Sequence, residues 1–209
     1  MLKKANGGFF YIKTFFKGGI MLNKVALLGI LNHRELNYKT KSNGTPIAIC
    51  ECEIYQKSNL GENIVKVTFF NEKAEQVAEL DIQNSPVYFE GSLKGADKNG
   101  KSSIDVYGHQ LVPMFADNIA FNKVWVTGEV IEAKIIETKE KVIEEIKIKN
   151  KEQTIKVFFL DHQERITKGQ IIFIEGVLRG IKNNAKFNMQ IYGKNLIFLK
   201  EANNGNYNK

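Results

Sequence analysis

Histidine, cysteine and carboxylate side chains do most covalent and acid–base work in proteins, and in this chain they are scattered. His33, His109 and His162 stand far apart and have no companions at metal-ligand spacing. His162, beside Asp161 and Glu164, reads as a polar turn. Cys50 and Cys52 would share one face of an extended strand with a Cα spacing of about 6.7 Å, which is poor for a disulfide. Both read as small core residues of a protein in a reducing, cytoplasmic compartment. A glycine-rich phosphate loop of the strand-to-helix kind is absent. The expectation is a protein that is not an enzyme, with no catalytic residues, no metal and no cofactor.

What does recur is a pattern of cations and flat rings. Lys24, Lys66 and Lys94 return later in the chain as Lys123, Lys156 and Arg179, in the same order. Phe70, Tyr88, Trp125 and Phe158 stand in or beside the same segments, with Tyr55, Tyr107 and Tyr192 as further rings. Cations along extended segments neutralise a phosphate backbone, and exposed rings stack under unpaired bases at about 1–3 kcal/mol each. Other readings stand beside this one. The lysines also suit a solvated strand face, Phe70 and Phe158 suit packing against a neighbouring barrel, and Trp125 suits an interface. Glu51 and Glu53 place negative charge on the same outer surface.

An internal repeat positions these residues. LNKVALLGIL at 22–31 returns as FNKVWVTGEV at 121–130, and VKVTFF at 65–70 returns as IKVFFL at 155–160. VYFEGSLKG at 87–95 returns as IFIEGVLRG at 172–180, and IDVYGHQL at 104–111 as MQIYGKNL at 189–196. The offset shrinks from 99 to 90 to 85, so the deletions fall in connections, where loops tolerate them.

Each landmark reads as a strand, rich in Val, Ile, Phe and Tyr. Period-two alternation puts Val65, Val67 and Phe69 inside and Lys66, Thr68 and Phe70 outside. In the second copy Val157 and Phe159 face in, while Lys156, Phe158 and Leu160 face out. Gly29 and Gly128 mark a bulge or a tight barrel bend. A hairpin tip falls at Ser42-Asn43-Gly44-Thr45-Pro46, and its counterpart at 138–141. The one helical stretch, 72–80, carries Ala74, Val77 and Ala78 near a 3.6 period, while 161–166 allows little more than one turn. Five strands with a helix between the third and fourth is the layout of the oligonucleotide-binding (OB) barrel. The fold class expected is all-β: two tandem five-stranded OB barrels related by internal duplication.

The implied organisation is an extension at 1–20, a first OB domain at 21–114, a linker at 115–118, a second OB domain at 119–200 and a short tail at 201–209. The extension is basic and aromatic, without the apolar core of a signal peptide, and reads as disordered or as lying upstream of a start at Met21. No apolar run is long enough for a membrane-spanning helix. Net charge is +7, which favours a polyanionic partner, but it is uneven: +4 in 1–20, −1 in 21–114 and +5 in 119–200.

The first copy resembles the bacterial-type single-stranded-DNA-binding protein family. The resemblance rests on Asn23-Lys24-Val25 with Gly29, on Asn43-Gly44-Thr45-Pro46, and on Val87-Tyr88-Phe89-Glu90-Gly91. It spans 21–112 well, and reaches 121–199 only through the internal repeat. It implies a groove that covers single-stranded DNA without sequence preference, in replication, recombination, repair or mobile-element maintenance. It also implies a homo-oligomer, a dimer when each chain holds two barrels. Positions where the family carries stacking aromatics fall at Ile64, just before the third strand, at Phe70, at that strand's end, and near Ser58 and Lys98 in two hairpins; the second copy has Thr154 before the strand and Leu160 at its end, so only Phe70 matches. The acidic-tipped tail that recruits replication proteins is replaced by EANNGNYNK. The alternative is an OB-type interaction or assembly module with little nucleic-acid binding. Should the groove run over both copies, loss of Lys156 and Arg179 is expected to weaken binding more than loss of Lys66 and Lys94.

Overall fold

The computed structural model describes residues 22–58, 61–98, 101–115, 121–162, 165–183 and 186–200. The 1–20 extension, linker residues 116–118 and the 201–209 tail lie outside them. Strands β1 (Asn23–Thr40), β2 (Pro46–Ser58), β3 (Gly61–Phe70), β4 (Pro86–Lys98) and β5 (Lys101–Pro113) form the first half, with helix α1 (Glu72–Glu79) between β3 and β4. β1 pairs with β2 and β4, β2 with β3, β4 with β5, and β3 with β5 in parallel. These pairings close a ring, which makes the fold all-β with a closed five-stranded OB-type barrel. Strands β6 (Phe121–Glu137), β7 (Val142–Asn150), β8 (Gln153–Leu160), β9 (Ile171–Asn183) and β10 (Lys186–Lys200) pair in the same cyclic order, again with one parallel pairing, β8 to β10.

Alternation decides which side chains fill the interior. Val65, Val67 and Phe69 are fully buried, and Val157 and Phe159 nearly so, while Lys66, Phe70, Lys156 and Phe158 turn outward as the period of two requires. Cys50 and Cys52 are buried on one face with sulfurs 3.9 Å apart and unbridged. Phe69 meets Phe89 edge to face, 6.0 Å between centroids. The Tyr-Gly pairs of the fourth landmark owe their glycines to this core. A Cβ on Gly108 would lie 2.1 Å from the Phe69 ring, and one on Gly193 2.2 Å from Phe159.

Two expectations need correction. No bulge sits at Gly29 or Gly128; the register shifts fall between Leu31 and His33 and between Val130 and Glu132. At Gly29 β1 passes from β4 to β2, and a Cβ there would be 2.6 Å from the Tyr55 carbonyl, so the close approach of β2 is the reason for the glycine. Ile64 and Thr154 do not precede their strands. They lie inside β3 and β8, where their carbonyls face the opposite half.

The strand ends show where the halves diverge. Asn71 and Asp161 both leave their strand with positive φ, 54° and 52°, and donate their N–H to Ala48 O and Val142 O respectively. After Asn71 the chain winds into α1, which buries Ala74 and Val77. The Arg34 guanidinium donates to the carbonyls of Val77 and Leu80 at the helix end. After Asp161 the described residues 161–162 and 165–170 form no helix.

The halves join through β1 and β6, which pair antiparallel from Asn23↔Val126 to Leu28↔Phe121. Side-chain amides stitch the seam in matched sets. Gln56 Nε2 donates to Leu28 O (2.6 Å) and Phe121 O (2.8 Å); Asn150 Nδ2 donates to Thr127 O (2.6 Å) and Leu22 O (3.0 Å). Asn63 Oδ1 accepts from Gly180 N–H at 2.7 Å, and Gln153 Oε1 from Gly95 N–H at 3.3 Å. Asn23 and Asn122 each clasp the backbone N–H and C=O of one residue, Leu93 and Leu178. Backbones approach so closely here that a Cβ on Gly180 would sit 1.9 Å from Ile64 O, and one on Gly95 2.2 Å from Thr154 O.

Candidate nucleic-acid interface

The outward faces of β3, β4 and β5 bring Phe70, Lys94 and Tyr107 together. Phe70 meets Tyr107 edge to face at 5.1 Å, and Lys94 Nζ stands 5.4 Å from the Tyr107 ring centre. The same faces of β8, β9 and β10 gather Phe158, Arg179 and Tyr192. Phe158 lies 5.9 Å from Tyr192, and the Arg179 guanidinium 5.7 Å from that ring. Parallel pairing sets Phe158 directly beside Tyr192, whereas Tyr107 is paired with Thr68 and Phe70 reaches its ring from two residues further along β3. Each cluster is a cation beside a half-buried aromatic step, suited to a phosphate and its base.

The other predicted cations are engaged by carboxylates. Lys24 Nζ lies 2.8 Å from Glu90, which also accepts from the Tyr88 hydroxyl at 3.0 Å. Lys123 Nζ lies 2.5 Å from Glu175, which accepts further from Trp125 Nε1 at 3.2 Å and Asn195 at 3.3 Å. These lysine hydrogen bonds hold the Glu90 and Glu175 carboxyls below the usual carboxylate range, so both carboxylates carry their charge at neutral pH. Lys66 pairs with Glu51 at 2.9 Å and Lys156 with Glu145 at 3.0 Å. Lys156 also reaches to 5.9 Å from the Phe158 ring. Partly exposed pairs of this kind contribute about 0–1 kcal/mol to stability, but they neutralise charge that a phosphate would otherwise meet.

Of the ten residues singled out in sequence, Phe70, Lys94, Phe158 and Arg179 thus fall into two ring-and-cation clusters, with Lys156 at the edge of the second. Lys24 and Tyr88 gather on Glu90, Lys123 and Trp125 on Glu175, and Lys66 on Glu51. Tyr107 and Tyr192, in sequence only further rings, stand at the centre of the two clusters. Sequence reasoning missed Phe187 altogether. On β10 it sits 5.2 Å from Lys182 Nζ and 5.8 Å from Lys66 Nζ of the other half, while Lys182 pairs with Glu53 at 2.8 Å. A lone Phe in the polar, lysine-rich hairpin IKNNAKFN was the available signal. Among the described residues no group of His, Cys, Asp and Glu is placed to hold a metal ion, and no helix is long and apolar enough to cross a membrane.

The architecture is that of an OB-type protein whose ring of strands recurs along the chain. Wild-type single-stranded DNA binding protein from Thermus aquaticus shares it, with a TM-score of 0.68 at 17% identity over 87% of this chain and 95% of that one. A deletion mutant of the same protein gives a TM-score of 0.67 at 19% identity, over 88% and 97%. The likeness read in the sequence is therefore borne out in the fold. No family model matches the chain, and no curated protein matches it.

Proposed function

We propose that the chain is a pair of tandem OB barrels, made by duplication of one unit, that binds single-stranded DNA without sequence preference and protects it in replication, recombination or mobile-element maintenance. The observation that carries this is that a cation and two rings gather on the outer face of each half, Lys94–Tyr107–Phe70 and Arg179–Tyr192–Phe158; cation and Tyr hold matched places of the repeat, while the Phe comes from a different position in each copy. Cation and ring side by side serve backbone and base together, and neither interaction reads sequence. The shared fold with a single-stranded DNA binding protein supports the reading. Two chains would associate to present four barrels.

The test is anisotropy titration of a labelled thymidine oligonucleotide of about 35 nucleotides, with a duplex control, at two salt concentrations. Preferential, salt-sensitive binding of the single strand is expected. No binding at micromolar protein and low salt, or equal weak affinity for both forms, would sink the proposal. The equal-affinity outcome would favour an assembly module, a reading for which the carboxylate pairing of Lys24, Lys66, Lys123 and Lys156 speaks.

A further inference from the structure

Two hairpins reach across the seam, and the one formed by β9 and β10 brings a ring with it. Toward its tip Phe187 is paired with Lys182, and β9 rests on β3 of the first half. Its root is fixed, because Asn63 of β3 accepts from Gly180 N–H at 2.7 Å and donates to Leu178 O at 3.1 Å. Its outer part is fixed as well, since Lys182 Nζ lies 2.8 and 2.9 Å from the two carboxylate oxygens of Glu53 on β2. Phe187 is thereby held half-buried, its ring centre 5.8 Å from Lys66 Nζ of the first half and 5.2 Å from Lys182 Nζ.

That ring extends a row belonging to the other half. Lys66, Thr68 and Phe70 share the outer face of β3, and Thr68 is paired with Tyr107, which Lys94 and Phe70 flank. The strand rises about 13 Å from Lys66 to Phe70, so Phe187, Tyr107 and Phe70 follow one another along a single strand face. The opposite corner of the seam differs. There Ser102 is paired with Asp97 as Phe187 is with Lys182, and Lys147 with Lys156 as Glu53 is with Lys66, so a hydroxyl stands in the place of the ring. Lys156 is also the more covered cation, its side chain 19% exposed against 33% for Lys66.

We propose that Phe187 is a base-stacking platform shared by the two halves, and that a single strand lying on Phe70 and Tyr107 of the first half crosses to the second over this corner and not over the corner of Ser102. The inference rests on the single-strand binding proposed above and gives it a path. Lys66 is matched by Glu51 and Lys182 by Glu53, so the corner is electrically balanced and its contribution is the stacked base rather than a neutralised phosphate. A ring lost here therefore costs affinity and leaves the salt dependence as it was.

The test uses the full chain and a thymidine oligonucleotide of about 35 nucleotides, in two measurements. In the first, iodouracil is placed at successive positions of the oligonucleotide, and photocrosslinked peptides of the unaltered protein are mapped by mass spectrometry; a crosslink at Phe187 is expected. In the second, Phe187→Leu keeps an apolar side chain against Lys66 and Lys182 but removes the flat ring, and is expected to weaken binding roughly tenfold with an unchanged slope of log affinity against log salt. Ser102→Ala, which removes a hydroxyl with no hydrogen-bond partner among the described residues, is expected to bind like the unaltered chain. Circular-dichroism melts check the fold of each variant, and the crosslink is read on the unaltered chain whatever the variants do. An affinity within twofold in Phe187→Leu, an equal loss in Ser102→Ala, or crosslinks confined to other residues would each overturn the proposal while leaving single-strand binding intact. A chain that binds no single strand at all would overturn the proposed function, and this path with it.

Discussion

Val25 of β1 is paired directly with Val124 of β6, the residue that holds the same place in the second copy of the repeat. An antiparallel pair centred on equivalent residues has local twofold symmetry, because every interaction made by one strand is returned by the other. The amides follow the same rule: Gln56 and Asn150 are counterparts, and so are their four carbonyl acceptors.

Replacing Gln56 with Leu removes the donor that serves Leu28 O and Phe121 O and the acceptor used by Asn63 and Asn122. Stability is expected to fall by about 2–4 kcal/mol, since buried polar groups left without partners cost about 1–3 kcal/mol each. Urea denaturation measures it. Asn150→Leu, which breaks two donated bonds, should cost less.

Gly180→Ala drives a methyl into the Ile64 carbonyl, backbone against backbone. Because neither partner is a flexible side chain, β9 must move away from β3. The melting midpoint should drop by roughly 5–15 °C. A midpoint within a degree or so of wild type would show that the seam yields easily.

On DNA, K94A/R179A is expected to reduce the slope of log affinity against log salt by about 1.4, near 0.7 for each phosphate of a single strand that is no longer neutralised. K24A/K123A removes cations already held by Glu90 and Glu175, so its slope should change less. Salt titrations of both double variants decide it, and equal slopes would refute the ranking.

Tyr107→Ala and Tyr192→Ala should each weaken single-strand binding by about 1–3 kcal/mol, the range for removing a stacking platform. Phe187→Ala is expected to do the same if a bound strand crosses between the halves, where Lys66 and Lys182 flank that ring. Comparison of oligonucleotides of increasing length would show whether its effect sets in only with the longer ones.

Acid should loosen the protein through Glu90 and Glu175. The folded carboxyls titrate below the ordinary value of 4.5, so their contribution is fully present above it and is lost as pH falls through the lower folded value. The melting midpoint should therefore decline below about pH 4.5, and more gently in Glu175→Gln, which has no such proton to take up. An unchanged acid limb in that variant would contradict the assignment.

Much of this was legible in the sequence, because strand faces follow from a period of two and turns from Asn-Gly. Val65, Val67 and Phe69 declared the core, and Lys66 beside them the outer face. The seam was not legible. Gln56, Asn63, Asn150 and Gln153 look like ordinary solvated strand residues, and several of their partners lie in the other half, more than fifty residues away. Ion pairing was hidden for a related reason. Lys24 and Glu90 sit on neighbouring strands 66 residues apart, so counting cations along the chain overstated the charge available to a ligand.

The reciprocal seam has a last consequence, in mass action. An isologous interface between separate chains dissolves on dilution, whereas here both faces are carried by one polypeptide and meet at an effective concentration on the order of millimolar. Dilution cannot part them, so the pairing persists at however few copies the chain is present.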